Sequence, residues 1–149
     1  MKKDQYTLLL ADDDEDDIDL FQEALTDLSI SGSLVTVNDG VQLMEYLSDN
    51  LPDILFLDLN MPLKSGLECL TEIKSSDRLK KLPIVIFSTS IEMDMADTLY
   101  ENGASYYVQK PNEFAKLKNV IENSLSLITK DRSQHSTRDQ FILQSRIPQ

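Results

Sequence analysis

Three aspartates stand directly behind short apolar runs of this sequence, where their carboxylates could bind a cation. Asp12 and Asp13 follow the run that ends at Ala11, and Asp58 follows the run that ends at Leu57. If these runs are strands of one parallel sheet, the carboxylates meet at one edge of it. Two unit charges about 4 Å apart repel by about 4 kcal/mol at an effective dielectric constant of about 20. A compensating cation is therefore expected, and these hard oxygen donors favour Mg²⁺ or Mn²⁺.

Two further side chains at the ends of apolar runs suit a phosphoryl group. Lys110, in the stretch YVQKP, offers an ammonium, and Ser88, which ends IVIFS, offers a hydroxyl that can donate to a phosphoryl oxygen. A carboxylate beside them can attack phosphorus and form an aspartyl phosphate, provided that a metal and the lysine neutralise the transferring group. The residues together predict a phosphoryl-binding site with Asp58 inside it.

Short apolar runs alternate along the chain with segments of helical period. The predicted strands are Tyr6 to Ala11, Leu34 to Val37, Ile54 to Leu57, Ile84 to Phe87 and Ser105 to Val108. Apolar residues at helical spacing predict five helices, over Ile18 to Leu28, Leu43 to Leu47, Leu67 to Ile73, Met93 to Glu101 and Phe114 to Ile128. Apolar strands separated by helices predict a doubly wound α/β fold, whose five-stranded parallel sheet is buried on both faces. In such sheets, ligands bind beyond the carboxyl ends of the strands.

Length and charge limit the classes of protein that the chain can represent. Its 149 residues suit one domain, which we expect at residues 1–130, followed by a polar tail at 131–149 that is flexible or docks on the domain. A net charge of −12 argues against nucleic acid and anionic membranes as partners. No apolar run approaches the ~20 residues that span a bilayer. With one cysteine and no apolar leader at Met1 to Tyr6, the sequence predicts a cytoplasmic protein.

Four stretches of the sequence, which contain the residues described above, together resemble the receiver domain of the two-component response regulators, of the chemotaxis type. The matching stretches, within roughly Tyr6 to Ile128, are LLLADDDEDD, LFLDLNMPLKSG, PIVIFSTS and GASYYVQKP. The resemblance implies a flavodoxin-like receiver fold in which Asp58 accepts a phosphoryl group. It further implies that Ser88 and Lys110 contact that group, and that the ligands of Mg²⁺ are Asp12, Asp13, Asp58 and the backbone carbonyl of Asn60.

The same resemblance assigns residues to signalling and to the lifetime of the phosphoryl group. Tyr107 matches the aromatic residue that switches together with Ser88. Asn60 and Ser90 occupy the positions that tune the phosphate lifetime. Thr89 stands where the family usually has a smaller residue, so access to the phosphoryl group is expected to be tighter.

The leading hypothesis is a single-domain response regulator that is a phosphoacceptor and not an enzyme, apart from slow self-catalysed phosphotransfer and dephosphorylation. It would take phosphate from a histidine kinase or a histidine phosphotransfer protein. Residues 131–149 are too few for an output domain, so we expect output through a protein partner or a homodimer. The resemblance implies that this partner or second copy binds the face formed by the fourth helix, the fifth strand and the fifth helix. The alternatives are a pseudo-receiver that is never phosphorylated and a phosphatase with Asp58 as nucleophile, which lacks a general acid because Asn60 stands in its place.

Structural interpretations compete with some of these assignments. Glu15, Asp16 and Asp17 are interpreted as charges that complement the N-terminus of a helix. The acidic run also resembles an EF-hand calcium loop, but Asp17 stands where that loop requires glycine. Tyr107 could instead be an ordinary aromatic of an edge strand, with Tyr106 beside it as an alternative exposed ring.

Overall fold

The chain folds into a parallel sheet with helices on both faces, as the alternation of apolar and helical segments predicts. The computed structural model describes residues 6–29, 32–130 and 141–143. The strands are β1 (Tyr6–Ala11), β2 (Gly32–Val37), β3 (Ile54–Asp58), β4 (Ile84–Ser88), β5 (Tyr106–Gln109) and β6 (Ile142–Leu143). The helices are α1 (Glu15–Asp27), α2 (Gly40–Asp49), α3 (Gly66–Lys74), α4 (Met93–Glu101) and α5 (Phe114–Lys130). The strand order is β2-β1-β3-β4-β5-β6, and every neighbouring pair is parallel.

Successive side chains of each central strand enter two different apolar layers. Leu8 and Leu10 of β1 belong to the layer that α1 and α5 cover, while Leu9 belongs to the layer that α2, α3 and α4 cover. Because side chains alternate along a strand, a sheet buried on both faces needs apolar residues at every position. This requirement explains the uninterrupted apolar runs and confirms the predicted doubly wound class. In the described part of the chain, no helix is long and apolar enough to cross a membrane.

Three phenylalanines pack together inside the layer between the sheet and α1. The ring of Phe21 on α1 lies 4.9 Å from that of Phe56 on β3 and 6.0 Å from that of Phe87 on β4, centroid to centroid. Phe56 and Phe87 are 5.5 Å apart, and all three pairs are edge-to-face, the arrangement that aromatic quadrupoles favour. Phe87 directly precedes the last residue of β4, and Phe56 lies two residues before the last residue of β3. The ends of these strands therefore stand on a rigid apolar base.

The loop after β3 is fixed by the start of α3. A side chain at Gly66 would place its Cβ 2.4 Å from the carbonyl oxygen of Asp58, so only glycine allows this approach. The N–H of Gly66 also donates to the carbonyl of Leu59 at 3.0 Å. Ser65 and Glu68 form a reciprocal capping box at the helix start. The direction in which the chain leaves Asp58 is thus set by backbone packing.

The sheet contains a sixth strand that the sequence pattern does not predict. Within the segment expected to be a polar tail, Phe141 is fully buried and its ring lies 5.3 Å from that of Tyr100 and 6.2 Å from that of Tyr107. The N–H of Tyr107 donates to the carbonyl of Phe141 at 2.9 Å, and β6 continues along the edge of β5. The expected five-stranded sheet is therefore correct for β1 to β5 and incomplete by one short strand. The rest of the predicted tail, 131–140 and 144–149, lies outside the described residues.

We expect Phe141→Ala to lower the free energy of unfolding by about 3 kcal/mol, because it removes a fully buried aromatic ring. Urea denaturation followed by circular dichroism measures the change. Ile142→Ala is the matched control on the same strand. Its side chain is half-buried, so a loss of about 1 kcal/mol is expected. A Phe141→Ala variant as stable as the wild type would contradict the packing of this strand.

Candidate functional site

The carboxyl ends of β1 and β3 bring three aspartates together. Ala11 pairs in register with Leu57, so Asp12 and Asp58 are the next residues of two adjacent strands. One carboxylate oxygen each of Asp12, Asp13 and Asp58 lies within 4.8 Å of the others. Asp12 and Asp58 are 2% and 5% exposed, whereas Asp13 is exposed. The structure thus places side by side the carboxylates that the strand pattern assigns to one edge.

The ammonium of Lys110 lies among carboxylates from three different elements. Its Nζ is 2.9 Å from Asp12 Oδ2, 2.9 Å from Asp17 Oδ2 and 3.3 Å from Asp58 Oδ2. Only 14% of the Lys110 side chain is exposed. Burial alone would lower the pKa of this ammonium, but the hydrogen bonds to Asp17 and Asp12, with the charges of Asp12 and Asp58, raise it above its ordinary value. Lys110 is therefore a permanent positive charge in the site.

The carboxyl group of Asp58 is harder to ionise than an ordinary aspartate. Burial raises its pKa to about 6, and the negative charge of Asp12 acts in the same direction. The charge of Lys110 and the N–H of Asn60, which donates to Asp58 Oδ1 at 3.1 Å, lower the pKa and limit the increase. Near pH 7, above this pKa, the ionised form prevails. Asp58 is therefore a partly desolvated carboxylate that is available as a nucleophile.

The donor chemistry of this cluster fits a hard divalent cation. The three groups are carboxylates, with no thiolate or imidazole in the cluster, and Mg²⁺ or Mn²⁺ prefers such oxygens. Asp12 is oriented because its Oδ1 accepts the N–H of Asp14 at 3.0 Å. The hydrogen bond from the Asn60 N–H to Asp58 holds residue 60 beside the cluster. Asp12, Asp13 and Asp58 are the groups of this cluster that could hold such a cation.

Ser88 is the last residue of β4 and is joined to the end of β5. It is 3% exposed, and its carbonyl accepts the N–H of Lys110 at 2.7 Å. Its Oγ accepts the N–H of Ser90 at 3.4 Å. Thr89 and Ser90 are exposed, and the carbonyl of Thr89 accepts from Gln109 Nε2 at 3.2 Å. The loop that begins at Ser88 is thus tied to the strand that positions Lys110.

Tyr107 is a buried residue that binds the loop after β4. Its side chain is 1% exposed, and its hydroxyl donates to the carbonyl of Ser90 at 3.2 Å while it accepts the N–H of Glu92 at 3.3 Å. The neighbouring Tyr106 is half-buried in the opposite layer. The interpretation of Tyr107 as an ordinary edge-strand aromatic is therefore wrong, because β6 pairs with the edge of β5 and the ring lies inside the core.

Asp17 is a site residue that sequence reasoning misses. By its sequence position it belongs with Glu15 and Asp16 to the charges at the N-terminus of α1, and the N-cap is Asp14, which accepts the N–H of Asp16 at 2.9 Å and that of Asp17 at 3.3 Å. Asp17 in addition forms the 2.9 Å ion pair with Lys110. One signal is present in the sequence. The helix starts only a few residues after β1, so its first turn must stand at the same sheet edge.

Comparison with known proteins agrees with this architecture. The family model described as the response regulator receiver domain matches residues 8–122. The probable methanogenesis regulatory protein FilR2 of Methanothrix harundinacea is 32% identical over 126 residues, which are 80% of this chain and 81% of the relative. The response regulator Rcp1 of Synechocystis is 33% identical over 122 residues, which are 77% of this chain and 83% of Rcp1.

Solved structures show the same fold. The phosphorylated cyanobacterial phytochrome response regulator RcpA matches with a TM-score of 0.76 and 32% identity, over 89% of this chain and 99% of that one. The Mn²⁺-bound form of Rcp1 matches with a TM-score of 0.72 and 30% identity, over 89% of this chain and 97% of that one. Because the family match and these relatives extend over most of the sequence, the chain belongs to the response regulator receiver domain family.

Proposed function

We propose that the protein is a phosphorylation switch in which Asp58 accepts a phosphoryl group from the phosphohistidine of a histidine kinase or a histidine phosphotransfer protein. An oxygen of Asp58 bonds to phosphorus while the phosphorus–nitrogen bond breaks and the imidazole leaves with the electron pair. The observation that carries this proposal is the position of Asp58, buried at the end of β3 with Lys110 Nζ 3.3 Å from its oxygen and other carboxylates alongside.

The charges around Asp58 are suited to a transferring phosphoryl group. Lys110 already lies within reach of the oxygen that would carry phosphorus, so it can donate to the new group with little movement. Asp12, Asp13, Asp58 and the carbonyl of Asn60 would hold Mg²⁺ or Mn²⁺, which supplies further neutralisation of the phosphoryl oxygens. The description of the solved Rcp1 structure as Mn²⁺-bound supports this choice of cation.

Signalling would begin at the hydroxyl of Ser88. A phosphoryl oxygen on Asp58 offers an acceptor for that hydroxyl, and the loop that starts at Ser88 would shift toward it. Tyr107 binds the same loop through the carbonyl of Ser90 and the N–H of Glu92. A shift of the loop would break or move these hydrogen bonds, so the buried ring is the element that would change position.

Three residues beside the site would set how long the phosphoryl group survives. Asn60, Thr89 and Ser90 are exposed, and they follow the two strand ends that hold Asp58 and Ser88. Their side chains would therefore control the approach of water to the phosphorus. Thr89 is larger than the residue usual in the family and would narrow this approach.

A cleft beside the site provides room for the phosphodonor. It has a volume of about 890 Å³ and lies between the N-terminal halves of α1 and α5 and the loop after β4, next to Lys110. Leu20 and Phe114 line it and are 44% and 38% exposed, so apolar side chains flank a charged centre.

Output would use the face of α4, β5 and α5, through a downstream protein or a homodimer. On this face the edge of β5 is covered by β6.

Asp58→Asn is expected to leave a folded protein that gains no phosphate, because the amide keeps the shape but lacks the nucleophilic oxygen. Incubation with a small-molecule phosphodonor and Mg²⁺, followed by intact-mass measurement, tests this. A mass increase of one phosphate at the wild-type rate would remove Asp58 as the acceptor. A wild type that gains no phosphate would favour the pseudo-receiver alternative.

The same variant also tests the electrostatics of the site in metal-free buffer. Folded Asp58 binds its proton more tightly than the unfolded chain does, so its ionisation costs stability as the pH rises from 3.8 to about 6. Asp58→Asn lacks this cost, and its Tm should exceed that of the wild type at pH 7 by more than at pH 4. The control is Asp77→Asn, at a side chain that is 99% exposed. Its Tm should equal that of the wild type at both pH 4 and pH 7.

Asp13→Asn is expected to weaken the stabilisation of the fold by Mg²⁺, since a ligand that binds the folded state stabilises it by an amount that increases with the logarithm of its affinity. Thermal melts with and without Mg²⁺ measure this difference. The variant should also melt higher than the wild type without metal, because it relieves repulsion among the acids. Asp16→Asn, an exposed carboxylate outside the cluster, should keep the wild-type response. If Mg²⁺ does not stabilise the wild type, the metal site is wrongly assigned.

Ser88→Ala should still accept phosphate on Asp58 but transmit it poorly, because it removes the donor that pulls the loop. Amide hydrogen exchange across residues 89–108, compared with and without beryllofluoride as a phosphoryl mimic, measures transmission. The wild type should change its exchange in this range, and the variant should change less. Equal responses in both proteins would refute the coupling through Ser88.

A further inference from the structure

We propose that Asp17 is a positioning residue for phosphoryl transfer: its ion pair keeps the Lys110 ammonium over Asp58 when the cation and the phosphoryl group engage the other partners of Lys110. The inference rests on the proposed function and adds to it a residue that lies on a helix instead of at a strand end.

The hydrogen bonds of Lys110 show why a third partner matters. A lysine ammonium has three N–H donors, and the three carboxylates at 2.9, 2.9 and 3.3 Å account for all of them. Two of these carboxylates, Asp12 and Asp58, belong to the cluster that would hold the cation. Asp17 does not belong to it. Once a divalent cation shares the oxygens of Asp12 and Asp58, Asp17 is the partner that remains for Lys110 alone.

Charge repulsion makes that remaining partner important. A divalent cation bound at Asp12 and Asp58 repels an ammonium that lies about 3 Å from the same oxygens. Without an opposing attraction, Lys110 would swing toward solvent through the cleft on its open side. The carboxylate of Asp17, 2.9 Å from Nζ, opposes this movement. The ion pair with Asp17 uses only one N–H of the Lys110 ammonium. The N–H that now donates to Asp58 can therefore turn to an oxygen of a phosphoryl group on Asp58.

Asp17 is itself held by the structure around it. It lies in the first turn of α1, where its N–H donates to Asp14 Oδ1 at 3.3 Å. The next residue, Ile18, is buried in the layer beneath the helix, together with Phe21. The side chain of Asp17 is 37% exposed, so it borders both the site and solvent. The packing of α1 on the sheet therefore fixes the helix turn from which Asp17 reaches Lys110.

Long-range electrostatics alone would give an effect of the opposite sign. Asp17 adds a negative charge near a site that must bind an anionic group, so its neutralisation should by charge alone favour that group. The positioning role predicts that neutralisation weakens binding of the phosphoryl group. The sign of the effect therefore separates the two accounts.

The experiment measures two affinities separately, that for Mg²⁺ alone and that for beryllofluoride at saturating Mg²⁺, by calorimetric titration. Asp17→Asn should bind beryllofluoride roughly tenfold more weakly, as expected for the loss of one hydrogen bond between charged groups. Its Mg²⁺ affinity should stay within about twofold of the wild type. Asp17→Glu, which restores the charge, should recover part of the loss. Asp16→Asn carries the same charge change in the same helical turn and should match the wild type.

A double-mutant cycle tests whether Asp17 acts through Lys110. In a Lys110→Gln background, Asp17→Asn should have no further effect on beryllofluoride affinity. An Asp17→Asn protein that binds beryllofluoride as well as Asp16→Asn does, or one that loses Mg²⁺ affinity equally, would overturn the positioning role. A wild type that binds no beryllofluoride would instead overturn the proposed function.

Discussion

The structure of the site depends on one buried ammonium. Lys110 neutralises carboxylates that the strand register forces together, and without it burial would make their joint ionisation very costly. The distance that this positive charge must span explains why the residue is a lysine. Lys110 follows β5, whereas Asp58 ends β3, and β4 lies between these strands. Adjacent strands are about 4.8 Å apart, so the charge must reach across about two such spacings, which suits a long flexible stem.

Much of this arrangement can be predicted from sequence because a doubly wound sheet leaves a strong pattern. Strands buried on both faces must be apolar throughout, so the ends of β1, β3, β4 and β5 can be located, and with them Asp12, Asp58, Ser88 and Lys110. Differences at strand boundaries are small. Asp58 and Ser88 are the last residues of their strands instead of the first residues beyond them. The fold rules then bring these ends to one edge.

The features that sequence reasoning misses depend on contacts between distant segments. The acidic run itself does not show that Asp17 meets Lys110 and that Asp16 does not, because this contact joins α1 to the end of a distant strand. Phe141 is one aromatic residue in a polar stretch, and its burial depends on a space between Tyr100 and Tyr107 that exists only in the folded domain. Asp17 lies one helical turn before the buried Phe21, which places it toward the sheet, but local periodicity does not identify the distant partner of either residue.

The short strand β6 also affects how the sheet meets other molecules. An uncovered edge of a parallel sheet presents unpaired N–H and C=O groups and is a template for pairing with foreign strands. On one side of this sheet, β6 pairs with two of the four residues of β5, Tyr107 and Val108, and presents an outer edge of only two residues. Short edge strands are poor templates for intermolecular pairing. Loss of Phe141 and β6 would therefore expose the edge of β5 to intermolecular pairing as well as remove a piece of the core.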